Sequence, residues 1–383
     1  MNIDKKSQNI LKHLDELKNK DFSFQSGHIL GSMCTQPHFI AKKAYINFLE
    51  TNIGDPDLFP GTKLIEEKFI KFISNLFHAP KTFSGQIMSG GTEGNITAMW
   101  IAKLLSQKKE IIVSEGAHFS FRKIASLMDM KLKTVPLTKD FIVDIKKLKK
   151  KINKDTAAVL AIAGSTELGT IDPIPEINEL CCNEHIFLHV DAAFGGFVIP
   201  FLKKLDHNIC DFDFKLKGVS TISVDAHKMG CAAIPLGTLV VKNKKWLDEI
   251  SGQPNCTSSN RQVGILGTRS GGSVAAGYAT VNYLGHNGYG RIVKNCMDNT
   301  EHTKKRIEEI GLNLVVKPTM NVIGVKLKKP EKIIKMLSNQ GWRVNHIQRL
   351  SCIRIVLMPH VKKDTIDEFI PVLEKTCKKV GEL

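Results

Sequence analysis

The 383-residue sequence predicts an α/β protein with a mainly parallel sheet in a large domain, followed by a smaller C-terminal α+β domain. Six short runs rich in β-branched or aliphatic residues are mostly separated by stretches long enough for helices, which is typical of a parallel sheet. After about residue 290 this alternation gives way to a different pattern. At roughly 150 residues per domain, the length allows two to three structural units.

The predicted elements begin with an amphipathic helix over residues 3–18, where apolar side chains recur at helical spacing among charged ones. We expect this helix to pack on another part of the protein. Residues 55–61 form a loop by composition, and the apolar spacing of residues 64–76 predicts a helix after it. The predicted strands are 111–113, 134–137, 157–163, 186–190, 220–224 and 237–241.

The C-terminal region carries its own set of elements. We divide the chain into an N-terminal helical segment (1–50), a large domain (51–285) and a small domain (286–383). The small domain is predicted to contain helices at 290–310, 331–340 and 363–380 and strands at 314–316, 323–327 and 353–357.

The composition is that of a folded globular protein, with 42% hydrophobic residues, but the net charge of +16 is unusual. Of the 54 basic residues, 46 are lysine and eight are arginine. Proteins that read nucleic-acid bases rely on the bidentate fork of arginine. We therefore interpret the excess as solvated surface lysine, as in residues 146–154, and do not expect a nucleic-acid partner.

Features of membrane, secreted and metal-binding proteins are missing from the sequence. No apolar stretch follows the first charged residues, so no secretory signal is predicted. The most apolar run, 192–202, is far shorter than the roughly 20 residues of a membrane-spanning helix. Nine cysteines without a Cys-x-x-Cys pair indicate free thiols and no zinc site. We expect a cytoplasmic protein without a metal.

A glycine-rich motif, Ser-Gly-Gly-Thr-Glu-Gly-Asn at 89–95, precedes a run with helical apolar spacing. The free backbone N–H groups and the dipole of a helix N-terminus favour a phosphate group, and glycine permits its close approach. The motif is neither a Walker loop nor a dinucleotide-binding fingerprint. Taken alone it is weak, because many glycine-rich turns bind nothing.

Two predicted strands end in residues suited to chemistry. Asp191 follows the strand 186–190, at the sheet edge where parallel sheets bind ligands. Asp225, Ala226, His227 and Lys228 follow the strand 220–224, and the residues after them are mostly uncharged. Burial there would lower the pKa of the lysine and make it a nucleophile towards a carbonyl. Individually, the aspartate also fits a helix N-cap or a paired aspartate of the core, and the lysine also fits a surface residue.

Together, the phosphate cradle, Asp191 and Lys228 match the requirements of pyridoxal phosphate. The helix N-terminus binds the phosphate, the aspartate keeps the pyridine nitrogen protonated, and the lysine holds the aldehyde as a Schiff base. A nicotinamide or nucleotide enzyme would explain the glycines but would leave Asp191 and Lys228 without a role.

Three motifs, at 89–95, 189–197 and 223–230, resemble the group II pyridoxal-phosphate decarboxylases, the family of glutamate and aromatic amino acid decarboxylases. Further segments at 32–38, 54–62 and 267–271 are similar to the tyrosine/aspartate decarboxylases of methanogenic archaea within that family. The resemblance extends from about residue 30 to 361. It implies fold type I of the pyridoxal-phosphate enzymes, with a large cofactor domain and a small C-terminal domain.

At matching positions, the resemblance implies roles for residues of the second and third motifs. Lys228 would form the internal aldimine, with His227 near the phosphate and Asp225 among the cofactor contacts. Asp191 would pair with the pyridine nitrogen, and Ala193 would lie under the ring.

Other implied contacts come from the loops around the cofactor. His118 would stack on the opposite face of the ring. Gly91 and Thr92 would hold the phosphate, and Ser165 or Thr166 would approach the ring.

The resemblance also implies contributions from another subunit and from the small domain. Gly267 and Thr268 would reach the phosphate of the other subunit, which implies a homodimer with shared active sites. Arg354 would bind the substrate α-carboxylate, for which a guanidinium fork is suited. Family members commonly have a tyrosine near residues 254–257, and some use it to protonate Cα; this sequence has none there. His118 is our candidate for that proton donor.

The resulting functional hypothesis is α-decarboxylation of an L-amino acid. The resemblance implies conversion of tyrosine to tyramine, for methanofuran, or of aspartate to β-alanine, for coenzyme A. The alternative is a lyase or sulfur-transfer enzyme of the same fold, acting on another amino acid that could be tRNA-linked. A third class, a basic binding protein with a degenerate site, conflicts with the intact Asp191 and Lys228.

Overall fold

The structure is a computed structural model that describes residues 4–252 and 262–383. Twelve α-helices lie in this part of the chain. The helices are α1 (Lys5–Lys18), α2 (Phe39–Asn47), α3 (Pro60–Leu76), α4 (Gly91–Ser106), α5 (Ser120–Leu127), α6 (Ile145–Lys151), α7 (Ile174–Asn183), α8 (Ile199–Lys204), α9 (Lys245–Asp248), α10 (Gly271–Glu309), α11 (Pro330–Asn339) and α12 (Lys363–Val380).

The described residues also form twelve strands, and the six strands predicted for the large domain are all present, five with shifted ends and the strand 237–241 with the predicted ends. The strands are β1 (Ser84–Met88), β2 (Glu110–Ser114), β3 (Lys131–Val135), β4 (Thr156–Ile162), β5 (Phe187–Asp191), β6 (Val219–Asp225), β7 (Gly237–Val241), β8 (Ser251–Gly252), β9 (Gln262–Val263), β10 (Val322–Lys326), β11 (Asn345–Ile347) and β12 (Cys352–Val356).

The large domain is built on a seven-stranded sheet with the order β1-β7-β6-β5-β4-β2-β3. Strands β2 to β6 are parallel to one another, whereas β7 is antiparallel to both β6 and β1. This confirms the predicted α/β class with a mainly parallel sheet. Because β1 and β6 run in the same direction, the carboxyl ends of β1, β2, β4, β5 and β6 meet at one edge.

Helices cover both faces of this sheet. Alternate strand residues contribute to two separate apolar cores, so that Ile112 packs in one and Ile111 and Val113 pack in the other. Strands buried on both faces read as continuous apolar runs, which is why the sequence revealed them. The result is a three-layer arrangement whose loops at the carboxyl edge are free to form a site.

The C-terminal part has a core of its own, built on the antiparallel sheet β10-β12-β11 and helices α11 and α12. Of the predicted strand 314–316, only a single bridge forms, between Leu314 and Val325. Strand β11 was not predicted. Helix α10 is longer than the predicted 290–310 and is interrupted at Gly285, whose φ of 56° and ψ of −170° are not helical. The domain boundaries at 50 and 285 stay predictions.

Helix α1 confirms the predicted amphipathic helix, but it does not pack on another part of the described chain as we expected. None of its residues is buried, and Ile10, Leu11 and Leu14 are each about half exposed. Across residues 4–252 and 262–383, no helix combines the length and apolar character needed to cross a membrane.

Candidate active site

A cleft opens at the carboxyl edge of the seven-stranded sheet, with a volume of about 340 Å³. Its walls come from loops that follow five strands of the sheet, the position at which such sheets bind ligands. Nine of the residues predicted from the sequence line this cleft, namely Gly91, Thr92, His118, Thr166, Asp191, Ala193, Asp225, His227 and Lys228.

The glycine-rich motif forms the start of helix α4. Gly90 is the residue before the helix, and no side chain caps the N-terminus. The carboxylate of Glu93 folds back and accepts a hydrogen bond of 2.6 Å from the backbone N–H of Ser89, which holds the turn in place. A Cβ atom on Gly91 would lie 3.0 Å from Cβ of Ala193. The uncapped N–H groups of the first turn can therefore bind a phosphate at close range.

Asp191 ends strand β5 and is 9% exposed. Its Oδ1 accepts a hydrogen bond of 3.0 Å from the backbone N–H of Ala193, and its Oδ2 accepts one of 2.8 Å from Nδ2 of Asn95. The carboxylate is thus fixed on two sides and lines the cleft. It can bind a cationic group such as a protonated pyridine nitrogen.

Lys228 lies three residues after the end of strand β6, with its Nζ 3.0 Å from Oδ2 of Asp225. Burial is the largest single influence on the pKa of Lys228 and lowers it, but the carboxylates of Asp225 and Asp191 together outweigh burial. The net shift of the pKa is upward, contrary to the expectation from sequence, because β5 and β6 both end in aspartate. Lys228 must therefore lose a proton before it can attack an aldehyde.

Two histidines flank the cleft. Nδ1 of His118 accepts a hydrogen bond from the backbone N–H of Ser120 and lies 2.9 Å from its hydroxyl, so the proton of the neutral ring is on Nε2. Burial lowers the pKa of His118, and the carboxylate of Asp191 opposes this only in part. Burial also lowers the pKa of His227, which lies beside Gly90 at the phosphate cradle.

Ser165 and Thr166, the two alternatives from the sequence, lie in the loop after β4 and differ in their contacts. Thr166 lines the cleft, whereas the hydroxyl of Ser165 is engaged at 2.8 Å with the hydroxyl of Thr170. Arg354 lies behind Thr166 and is 5% exposed. Its guanidinium donates to the carbonyl groups of Thr166, at 2.5 Å, and Gly31, at 2.6 Å. The structure does not place Arg354 among the residues that line the cleft.

Gly267 and Thr268 are exposed and do not line the cleft of their own chain. Their loop is held by Arg269, whose backbone N–H donates to Oδ1 of Asn52 at 3.1 Å and whose guanidinium lies 3.4 Å from Oε1 of Glu66. The segment 254–257, where the sequence lacks the family's tyrosine, lies outside the described residues.

Sequence reasoning missed several residues of the site. Ile162, Phe194 and Ile234 contribute apolar surface to the cleft. Asn95 and His189 lie beneath Asp191, although both belong to the quoted motifs and were given no role. A polar residue in an otherwise apolar strand, such as His189, was the signal that was available. Within the described ranges, no group of three or more His, Cys, Asp or Glu residues could hold a metal ion.

The cleft fits pyridoxal phosphate in each of its functional parts. The uncapped helix can accept a dianion, the fixed carboxylate can accept a pyridinium, and the lysine lines the same cleft. The buried Oδ1 of Asp225 has no hydrogen-bond partner among the described residues, which leaves it able to accept a bond from a bound molecule.

Comparisons with known proteins agree with this fit. The family model of the pyridoxal-dependent decarboxylase conserved domain matches residues 46–328. A probable L-tyrosine/L-aspartate decarboxylase of Methanosphaera stadtmanae is 41% identical over 380 residues, with 97% of each chain covered. An L-aspartate/L-glutamate decarboxylase of Pyrococcus horikoshii is 42% identical over 373 residues, with 96% of this chain and 97% of that one covered.

Solved structures show the same fold. The glutamate decarboxylase of Lactobacillus brevis has a TM-score of 0.89 at 20% identity and covers 100% of this chain and 94% of that one. The comparisons do not favour the alternative of a lyase or sulfur-transfer enzyme. The cofactor is pyridoxal phosphate, and the chain belongs to the pyridoxal-dependent decarboxylase family.

Proposed function

We propose that the protein removes the α-carboxylate of an L-amino acid as carbon dioxide, with pyridoxal phosphate attached at Lys228. The observation that carries the proposal is the convergence of the Gly91 helix terminus, Asp191 and Lys228 on one cleft. The cofactor, when bound, supplies a conjugated ring that accepts the electron pair released as carbon dioxide leaves.

The residues of the chain bind and orient the reacting groups. The N-terminus of α4 holds the phosphate, and Asp191 keeps a proton on the ring nitrogen, which makes the ring a better electron acceptor. Because Asp191 is hydrogen-bonded on both oxygens, it cannot rotate away from that proton. Lys228 would hold the cofactor covalently through its aldehyde.

His118 is our proposed donor of the proton that Cα receives after carbon dioxide leaves. Its Nε2 carries the proton of the neutral ring, because Nδ1 accepts from Ser120. A neutral imidazole is a very weak acid, so donation requires the protonated ring, and this form is a minor fraction at pH 7 because burial lowers the pKa of His118. A side chain of this kind, at the wall of the cleft, is placed to move a proton to or from a bound substrate.

Arg354 is our proposed partner for the substrate α-carboxylate. Both described hydrogen-bond acceptors of its guanidinium are neutral carbonyl groups, and its buried Nε–H has no partner. A buried guanidinium held in this way retains its positive charge beside Thr166. Binding of the carboxylate on this side would help to choose which bond of Cα breaks.

We propose tyrosine and aspartate as the substrates, giving tyramine for methanofuran and β-alanine for coenzyme A. The names of the archaeal relatives support both. Around the cleft, the described side chains Ile162, Phe194 and Ile234 are apolar. This lining suits a phenol ring better than a second carboxylate, so tyrosine is the first substrate to test.

The test is carbon dioxide release from a panel of the standard amino acids by the loaded protein, with Lys228→Ala as the control. We expect release from tyrosine or aspartate and none from the variant. Activity confined to an amino acid other than tyrosine, aspartate or glutamate would contradict the proposed substrates. A protein that gains no visible absorption on addition of the cofactor would contradict the proposed role of Lys228.

We also propose a homodimer with shared active sites. Exposed apolar side chains support a partner surface on α2 and α10, where Phe39 and Tyr283 are each 59% exposed and Ile46 is 70% exposed. Gly267 and Thr268 are exposed and so are free to contact another subunit. We further propose a cytoplasmic location, which the eight free cysteines of the described residues support.

Mixed dimers test the shared sites. Thr268→Glu places a carboxylate where the partner's phosphate would bind, and Lys228→Ala removes the attachment point; each variant alone should be inactive. If the loop acts on the partner, a mixed dimer contains one intact site, and random mixing should restore about a quarter of the wild-type activity per protomer. If Thr268 acts within its own chain, mixing restores none.

A further inference from the structure

A network of buried polar side chains lies behind Asp191, and the mechanism proposed above uses only its last member. His189 and Ser223 are 0% exposed, and Asn95 is 1% exposed. Oδ1 of Asn95 lies 2.9 Å from Nε2 of His189 and 2.7 Å from Oγ of Ser223. Nδ2 of Asn95 donates to Oδ2 of Asp191, and Nδ1 of His189 lies 2.8 Å from Oγ1 of Thr221.

The carboxylate of Asp191 determines which atoms donate and which accept throughout the network. Asp191 can only accept, so the NH₂ group of Asn95 must face it and the amide oxygen must face His189. That oxygen can only accept, so Nε2 of His189 carries its proton and Nδ1 accepts from the hydroxyl of Thr221. Burial lowers the pKa of His189 to about 4, so the ring stays neutral near pH 7 and this arrangement persists.

We propose that Asn95 is a positioning residue that holds the Asp191 carboxylate in the orientation that binds the pyridine nitrogen, and that His189 fixes the Asn95 amide in its donating orientation. The second oxygen of Asp191 is held by the backbone N–H of Ala193. Asn95 therefore supplies the only described side-chain hydrogen bond to this carboxylate. The inference rests on the assignment of Asp191 to the ring nitrogen.

A purely structural role predicts a different energetic pattern. Buried polar groups that are replaced together by apolar groups of similar shape often leave stability unchanged or increase it. If the network serves only packing, changes in cofactor affinity should follow changes in the stability of the apo-protein. If it positions Asp191, cofactor affinity should fall without a matching loss of stability.

The first experiment titrates apo-protein with pyridoxal phosphate and compares the wild type with Asn95→Leu. We expect the affinity to fall about 10-fold or more, since one hydrogen bond to a charged group is lost. We also expect the visible absorption of the bound cofactor to change its pH midpoint, because that band responds to the charge beside the ring. Thr97→Val is the matched control, as Thr97 is buried on the same helix and bonds only to Glu93 and Met88.

The second experiment uses a pair of amide variants at His189. Glutamine can place an N–H group near the position of Nε2 and so retain the bond to Asn95. Asparagine reaches only the position of Nδ1 and retains at most the bond to Thr221. We expect His189→Gln to bind the cofactor within about 3-fold of the wild type and His189→Asn to bind it about 10-fold more weakly.

Wild-type affinity and an unshifted band in Asn95→Leu would overturn the inference, as would equal behaviour of His189→Gln and His189→Asn. A loss of affinity that parallels the fall in apo-protein melting temperature would also overturn it. Asp191→Asn distinguishes a failure of the network inference from a failure of the assignment of Asp191 to the ring nitrogen. If that variant is impaired while Asn95→Leu is not, the network inference alone fails. If it retains the wild-type affinity and spectrum, the assignment of Asp191 fails, and the inference with it.

Discussion

Asp225→Asn should lower the pKa of Lys228 and speed its reaction with the cofactor aldehyde at neutral pH. Oδ2 of Asp225 lies 3.0 Å from Nζ of Lys228, and its negative charge helps to raise the pKa of the lysine against the opposing effect of burial. Asparagine keeps the size of the side chain and removes its charge. The lowering of the pKa by burial would then be opposed mainly by the carboxylate of Asp191.

The size of the effect follows from the hydrogen bond that is lost. A hydrogen bond to a charged group contributes about 1.5–3 kcal/mol, and about 1.4 kcal/mol corresponds to one pKa unit. The pKa of Lys228 should therefore fall by about 1–2 units, and the neutral fraction near pH 7 should rise about 10- to 100-fold.

The assay follows the appearance of visible absorption when apo-protein is mixed with pyridoxal phosphate over a range of pH. The midpoint of the rate profile should move to lower pH in Asp225→Asn by about 1–2 units. Asp211→Asn is the control, because Asp211 pairs with Lys203 away from the cleft. An unchanged midpoint, or a midpoint moved to higher pH, would refute the claim that Asp225 sets the charge of Lys228.

Three further predictions concern the cradle, the substrate and stability. Gly91→Ala should weaken cofactor binding about 10-fold, since the new Cβ lies 3.0 Å from that of Ala193; Gly61→Ala, which has no atom within 4 Å of its Cβ, should not. Arg354→Lys should raise KM at least 10-fold while the cofactor affinity stays near that of the wild type, because lysine cannot form the bidentate contact. A fall in cofactor affinity as large as the rise in KM would instead indicate a structural role. The folded pKa of His189, about 4, lies below its unfolded value, so its contribution to stability is complete above about pH 6.5 and is lost as the pH falls towards 4. Urea unfolding of the apo-protein at pH 7 and at pH 5 measures this contribution. Between these pH values, the free energy of unfolding should fall by about 2 kcal/mol less in His189→Gln than in the wild type. An equal fall in both proteins would contradict this.

The sequence predicted the strands that are buried on both faces, because they read as continuous apolar runs. It did not reveal β1, in which only Ile87 and Met88 of five residues are large and apolar. Strand β1 lies at the sheet edge and pairs only with β7, so its sequence is under less constraint to be apolar.

Some residues of the site could likewise be predicted from local sequence patterns, whereas other features depend on the folded sheet. Asp191 and Lys228 were found because each follows an apolar strand, which is a local pattern. The contact of Asn95 with His189 and Ser223 depends on the order of strands in the sheet, which no local pattern contains. The raised pKa of Lys228 has this origin only in part, since Asp225 is close to it in sequence whereas Asp191 becomes its neighbour through the pairing of β5 with β6.

The covalent attachment of the cofactor to Lys228 is the central claim, and it can be measured directly. Borohydride reduction of the loaded protein, followed by peptide mass spectrometry, identifies the lysine that carries the cofactor. We predict a pyridoxyl group on Lys228 alone among the 46 lysines. Modification of a different lysine, or no modification of a protein that contains bound cofactor, would contradict the account.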